Sequence, residues 1–331
     1  MQECTIQQLK SINLEEDVLN NLDYLSLFNK YKYILLKDGL YKVNSKEDAI
    51  SNEIRNVIND SEAKLFRIEC KERAIAYILI KKMTWDTKIL GLNVGRLIIL
   101  PLVNNLLPYS HALGRVFKEL QRMKYQLLIS RIPYLYINVV QTLERLGAIT
   151  TDVLVTLKRN ILVNPPNPDE KYVSSIEVKT IKSKEDLYHI MEIALDAFLF
   201  SHYFTDPLMC AWAGKKVYEQ WILNAPKYGK SIYVALKKDL IIGFIVCTIK
   251  SADDVMKYGV IELIAVRDKF RGKGVGTILI NKCLNFLSKE NVSMVFVGTQ
   301  ASNISALNFY IKRSFMPAFI EHTLHMWCSS S

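Results

Sequence analysis

Val266-Arg267-Asp268-Lys269-Phe270-Arg271-Gly272-Lys273-Gly274-Val275-Gly276-Thr277 joins two segments of different period. Tyr258–Val266 reads as a strand. Gly274–Ser288 reads as an amphipathic helix, with Val275, Ile278, Leu279, Cys283, Phe286 and Leu287 on one side. A strand that enters a glycine-rich turn and leaves as a helix exposes backbone N–H groups at the helix N-terminus. Those groups and the helix dipole bind anionic phosphate, and the glycines let a diphosphate come close. Lys269, Arg271 and Lys273 add positive charge around the same anion. A P-loop is excluded, because no Lys-Ser/Thr pair follows Gly276. A dinucleotide fingerprint would open the fold on its first strand, whereas this turn comes late, after an antiparallel meander.

Outward from that turn, strand and helix signals alternate. Ser175–Ile181 reads as a strand, Glu185–Phe200 as a helix, His202–Pro207 as a loop and Lys215–Ala225 as a helix. Ile232–Leu236 and Leu240–Ile249 form a hairpin across Lys237-Lys238-Asp239, and Tyr258–Val266 completes the meander. Ser293–Val297 is a strand, Asn303–Arg313 a helix and Ile320–Trp327 a closing strand. This order predicts an α/β domain with a mixed, largely antiparallel sheet and helices on both faces. In the helix that follows Thr299-Gln300-Ala301-Ser302, residues Asn303, Ala306 and Tyr310 share one face, with Ser302 or Asn303 as the cap.

The N-terminal half repeats the plan. Lys64–Glu69, Arg73–Met83 and Val94–Leu100 read as strands and His111–Met123 as a helix. Tyr125–Ile129 (strand), Ile137–Leu146 (helix) and Val153–Arg159 (strand) follow. Laid over the second half, Ile137–Leu146 matches Ile304–Arg313, and Val155-Thr156-Leu157 matches His322-Thr323-Leu324. The glycine turn has no counterpart: Pro101-Leu102-Val103-Asn104-Asn105-Leu106-Leu107-Pro108 stands there and cannot present a row of N–H groups. The position matching Tyr310 is Leu143. A further helix is expected at Leu14–Asn29. Asn164-Pro165-Pro166-Asn167-Pro168-Asp169-Glu170-Lys171 reads as a semi-rigid connector. The expected domains are thus 1–160 and 175–331, with a linker at 161–174.

Composition narrows the function. The 331 residues are half hydrophobic and carry a net charge of +10, which attracts polyanions or a phosphate-rich small molecule. No RNP motif, Cys/His finger or basic heptad region accompanies that charge, so no nucleic-acid partner is expected. The six cysteines are scattered without a Cys-x-x-Cys pair, and the five histidines form no ligand pattern. Reduced thiols in a cytoplasmic protein and no metal are the expectation. The N-terminus shows no secretory signal, and no apolar run is long enough to cross a membrane.

Arg271-Gly272-Lys273-Gly274-Val275-Gly276 after a strand, followed by Asn303-Ile304-Ser305-Ala306-Leu307-Asn308-Phe309-Tyr310, resembles the GNAT superfamily of acyl-CoA-dependent N-acetyltransferases. Thr84–Asn93, Ala197–Tyr203 and Tyr218–Ala225 resemble, more narrowly, the TDP-fucosamine acetyltransferases. The resemblance implies a catalytic GNAT domain at 175–331 and a degenerate GNAT-like domain before it. It also implies acetyl-CoA as cosubstrate, with its diphosphate held by Arg271, Gly272, Lys273, Gly274, Val275, Gly276 and Thr277. The backbone of Ile264 and Val266 would pair with the pantetheine arm, a backbone N–H would polarise the thioester, and Asn303 would steady the arm. Tyr310 matches the general acid, its ring facing the cofactor sulfur rather than the core. Glu262, on the strand face of Ile264, is a candidate base, and a water relay would serve instead. His202, Tyr203, Asp206 and Trp85 are candidate acceptor contacts, with a packing anchor between the domains as the alternative, and the preferred, role for Trp85. The implied acceptor is the amino group of a nucleotide-linked amino sugar for surface polysaccharide. Alternatives are another amine (antibiotic, polyamine or protein) or, outside enzymology, a basic binding protein. The resemblance leaves room for a homodimer.

Overall fold

A computed structural model describes residues 4–9, 62–103, 105–165, 175–181, 183–251 and 257–328. The expected helix Leu14–Asn29 and most of the proline-rich segment lie outside them. The chain forms two compact units: Met1–Thr151 with Glu321–Ser331, and Asp152–Ile320.

The first unit contains β1 (Cys4–Leu9), β2 (Lys64–Cys70), β3 (Arg73–Lys82), α1 (Thr84–Leu90) and β4 (Val94–Pro101). After them come α2 (Ser110–Arg122), β5 (Leu127–Pro133) and α3 (Ile137–Arg145). The second begins within β6 (Ile149–Asn160) and continues through β7 (Glu177–Thr180), α4 (Lys184–Ala197), α5 (His202–Thr205) and α6 (Ala211–Asn224). A meander of β8 (Ser231–Lys237), β9 (Leu240–Ser251) and β10 (Lys257–Val266) leads into α7 (Val275–Lys289). β11 (Met294–Gln300), α8 (Ile304–Ile311) and β12 (Met316–Trp327) complete the chain. The predicted elements are present, with ends that differ by a few residues. The loop expected at His202–Pro207 contains one helical turn.

Strand order is β1-β2-β3-β4-β5-β12 in the first unit and β6-β11-β10-β9-β8-β7 in the second. β12 pairs antiparallel with β5, Glu321 opposite Pro133 through Trp327 opposite Leu127. β6 pairs antiparallel with β11, Asn160 opposite Met294 through Leu154 opposite Gln300. Here the structure corrects the sequence reading. The strand before the proline-rich segment closes the second sheet, and the strand at the chain's end closes the first. The two were matched in sequence, and each takes its counterpart's place. The units consequently divide at 151/152 and 320/321, not at 161–174.

Local chemistry explains the elements. Two hairpins turn on two residues without glycine: Lys71 (φ 51°) and Glu72 (φ 61°) between β2 and β3, Lys238 (φ 49°) and Asp239 (φ 64°) between β8 and β9. Positive φ at both central positions matches the right-handed strand twist. α4 starts on a capping box: the Asp186 N–H donates to Ser183 Oγ, and the Ser183 N–H donates back to Asp186 Oδ2, each at 3.2 Å. One face of the second sheet buries Ile245, Cys247 and Ile261 against Leu279, Cys283 and Leu287 of α7. The other buries Phe244, Val246 and Leu263 against Ile190 of α4 and Ile222 of α6. Helices therefore cover both faces, as predicted. In the first unit Val116 and Leu120 of α2 and Val139 and Leu143 of α3 pack on Ile78, Ile80 and Leu128, with Leu324 and Met326 of β12.

Candidate active site

Strands β10 and β11 run parallel, and their pairing covers only Tyr258–Ile261 against Met294–Val297. Beyond Ile261 the two part, while β10 stays paired with β9 to Val266 and β11 stays paired with β6 to Gln300. The edge of β10 from Glu262 to Val266 is thus open on its β11 side, and Ile264 lies within it.

A bulge marks the same point: the β9–β10 register shifts between Ile261 and Leu263. Ile261 belongs to the α7-side core and Leu263 to the α4/α6-side core, so the strand does not keep strict alternation. Ile264 and Val266 pack toward α7. Glu262 instead accepts a hydrogen bond from Trp221 Nε1 of α6 at 2.9 Å and pairs with Lys230 Nζ at 2.5 Å. The expectation that Glu262 shares a face with Ile264 is corrected by this bulge. Its side chain is 10% exposed and its charge is matched by Lys230.

The glycine turn leaves β10 through a short 3₁₀ turn, Asp268–Phe270. Gly272 (φ 74°) and Gly274 (φ 82°) both adopt the left-handed conformation that other residues resist. Gly274 is the N-cap of α7, with no side-chain cap and no acidic residue in the first turn. The first N–H groups of a helix have no intrahelical acceptor, and those of Val275, Gly276 and Thr277 are in that position. Arg271, Lys273 and Gly274 are exposed.

The three cations differ in what they already hold. Arg271 donates Nε to the Val266 carbonyl at 3.0 Å and pairs with Asp268 at 2.7 Å, so its guanidinium braces the turn. The Val266 carbonyl is engaged by that contact. Lys273 Nζ donates to the Lys269 carbonyl at 2.8 Å and lies over Phe270. Gly276 answers to packing: a Cβ there would lie 2.9 Å from Phe309 Cε2 of α8. Thr277 Oγ1 accepts from Arg313, whose guanidinium stacks 3.8 Å above the Phe309 ring. Neither contact was legible in the sequence.

Asn303 caps α8, its Oδ1 accepting the Ala306 N–H at 3.1 Å. Tyr310 is 4% exposed, edge-on to Phe309 and Phe315, and part of the core beneath α7. The expectation that its ring would avoid the core is corrected: α8 is short, and its inward face is the core face. Burial, then the neighbouring Cys283, pushes the phenol well above its ordinary pKa, so it stays protonated.

His202, Tyr203 and Asp206 come together around α5, all buried, with the His202 and Tyr203 rings 4.0 Å apart. Asp206 Oδ1 accepts the Leu208 N–H at 2.8 Å. The His202 N–H donates to Asp152 of β6, a residue that sequence reading did not single out. Trp85 lies on α1 in the first unit, half-buried. Among the described residues no group of His, Cys, Asp or Glu could hold a metal, and no helix is long and apolar enough to cross a membrane.

A parted pair of parallel strands, opening onto a glycine turn and a helix N-terminus, fits the diphosphate and arm of acetyl-CoA. Residues 187–315, within the second unit, match the acetyltransferase (GNAT) family, and that unit has the GNAT fold. The chain is similar to the spore coat polysaccharide biosynthesis protein SpsD of Bacillus subtilis, at 26% identity over 143 residues, covering 43% of this chain and 48% of that protein. It is 37% identical over 68 residues to streptothricin acetyltransferase A of the same organism, covering 20% of this chain and 39% of that one. The chain thus spans about half or less of the length of these relatives. Among solved structures, a tandem GNAT protein from the clavulanic acid biosynthesis pathway superposes with a TM-score of 0.56 at 12% identity, covering 99% of this chain and all of that one. The whole described fold is accordingly tandem and GNAT-like.

Proposed function

We propose that the second unit transfers an acetyl group from acetyl-CoA to a primary amine of a small acceptor. The observation that carries this reading is the opening of β10 from β11 beside a left-handed glycine turn at the start of α7. When bound, acetyl-CoA supplies an activated thioester carbonyl. The N–H groups of Val275, Gly276 and Thr277, with Gly272, Gly274 and Lys273, hold its diphosphate, and Arg271 keeps the turn in shape. The open edge of β10 at Ile264 pairs with the arm and aims a backbone N–H where oxygen charge develops. Asn303 fixes the first turn of α8 beside it. Tyr310 holds the proton that the departing thiolate needs. Glu262, neutralised by Lys230, secures the bulge. His202, Tyr203 and Asp206 shape the acceptor side.

The acceptor class we favour is a nucleotide-linked amino sugar, worked on in the cytoplasm for surface polysaccharide. The part of SpsD in spore coat polysaccharide biosynthesis supports that choice, as does the likeness of Ala197–Tyr203 to sugar acetyltransferases. The streptothricin relative supports a second reading, an antibiotic amine. Free-thiol release from acetyl-CoA, measured across nucleotide amino sugars, streptothricin and peptides with a free N-terminus, decides between them. Highest kcat/KM on the sugars is expected. Absence of thiol release with every amine would overturn the acetyltransferase reading.

A further inference from the structure

Asp152 sits in β6 beside the parted end of β11, where the Ala301 N–H donates to the Val153 carbonyl at 2.7 Å. The residue is 9% exposed. One carboxylate oxygen, Oδ2, accepts two hydrogen bonds: from the His202 N–H at 3.1 Å and from Gln300 Nε2 at 3.2 Å. The other, Oδ1, is buried and has no hydrogen-bond partner in the protein, and neither has the buried Ser201 Oγ one residue before His202. Among the described residues no Lys, Arg or His forms an ion pair with Asp152.

A buried carboxylate with one oxygen unpartnered and no matching cation is costly to keep. Such a residue is expected where a ligand completes it. The placement is specific. Gln300 ends the strand that opens from β10, and His202 begins α5, so the two residues that hold Asp152 come from two separate elements beside the strand opening. What completes an anion at low exposure is a cation, and an amine acceptor carries one.

Resting on the acetyltransferase reading, we infer that Asp152 is the anionic anchor for the acceptor's ammonium group, which gives one proton to solvent and then attacks the thioester as the neutral amine. Oδ2 is fixed by His202 and Gln300, which leaves Oδ1 aimed at the acceptor nitrogen, and Ser201 Oγ adds a second contact. The arrangement selects a cationic amine over a neutral hydroxyl of similar size. Glu262 cannot take this part, because Lys230 already matches its charge.

The test compares wild-type enzyme, D152N and S201A, with D-glucosamine as acceptor probe. The carboxamide introduced by D152N retains an oxygen for both observed hydrogen bonds but puts an N–H₂ where Oδ1 stood. The glucosamine KM of D152N should rise about 10–100-fold, the loss of one charge-assisted hydrogen bond. CoA affinity by calorimetry should hold, and the melting temperature should hold or rise, since an unpaired buried charge is removed. S201A should raise the same KM by a few-fold, so the inference remains falsifiable should D152N not fold. Unchanged KM in a folded variant would overturn the anchor and leave the acetyltransferase reading intact. So would a fall in melting temperature and CoA affinity that matches the activity loss. Failure of wild-type protein to bind CoA would overturn both.

Discussion

The β4–β5 and β10–β11 pairs make an informative comparison. Each is a parallel pair joined over four residues, Val94–Leu97 with Leu127–Ser130 and Tyr258–Ile261 with Met294–Val297. Each then parts, and the next strand of its own sheet follows, β12 or β6. The differences lie beside the parting. β3 and β4 keep a regular register from Ala76 to Lys82, whereas β10 bulges at Glu262 against β9. In the first unit Ser130 Oγ donates to the Leu97 carbonyl at 2.8 Å, and Leu106, after β4, is fully buried in the core. In the second, the corresponding segment is exposed and turns on two left-handed glycines. Parting two strands is a property of the fold. Making that gap bind an anion takes backbone N–H groups, and those depend on a few residues.

The largest expected break in the comparison is at Gly274. Gly274→Glu puts a carboxylate at the helix N-terminus that the diphosphate should occupy, and CoA affinity by calorimetry should fall at least ~100-fold. Gly274→Ala isolates backbone strain from charge and should cost less. Asn105→Glu, at the exposed end of the matching segment, should change CoA affinity less than twofold. If Gly274→Glu still binds CoA, the assignment of the turn is wrong.

Next comes Tyr310. Tyr310→Phe keeps the packing with Phe309 and Phe315 but removes the proton, and kcat should fall by about 10²-fold with CoA affinity and melting temperature nearly unchanged. Its counterpart Leu143→Ala should lower the melting temperature without a specific loss of kcat, because Leu143 is a buried packing residue. Tyr310→Phe with wild-type kcat would reduce Tyr310 to the same standing as Leu143.

Two stability effects sharpen the contrast. Lys230→Met leaves the Glu262 carboxylate without its cation, a loss of ~3–5 kcal/mol for a buried pair and less here because both ends retain some exposure. Thermal and denaturant unfolding would show it. A variant as stable as wild type would mean that the bulge does not depend on this pair. Smaller still, Gly276→Ala meets Phe309 and should cost about 1–3 kcal/mol. Phe309→Leu in the same chain should restore part of that, and no recovery would place the strain elsewhere.

Much of this was legible in sequence because the signals are local. Glycine spacing gave the turn, 3.6-residue periodicity gave α7, and the Lys238–Asp239 turn gave the β8–β9 hairpin. The missed features depend on partners far along the chain. The bulge at Glu262 arises from pairing with β9, which no alternation pattern reveals. Arg271 looked like an anion ligand because its nearest carboxylate, Asp268, carries no label of pairing. Gly276 was read as serving the ligand alone, and only Phe309 across the helix contact shows that packing also demands a glycine there. Asp152 left one signal that could have been followed: a carboxylate inside Ile149–Asn160, an otherwise uncharged run until Lys158.

The exchange of β6 and β12 also sets an order of completion during synthesis. The second unit has all its strands once Ile320 has left the ribosome. The first begins 151 residues earlier yet lacks its closing strand until Trp327 has emerged. At about 5–20 residues per second, the wait is on the order of ten seconds or more. Through that interval β5 presents an unpaired edge, the kind of surface that recruits stray strands. The nascent chain therefore finishes its two units in the reverse of the order in which it starts them, with the glycine turn in place before the N-terminal sheet is closed.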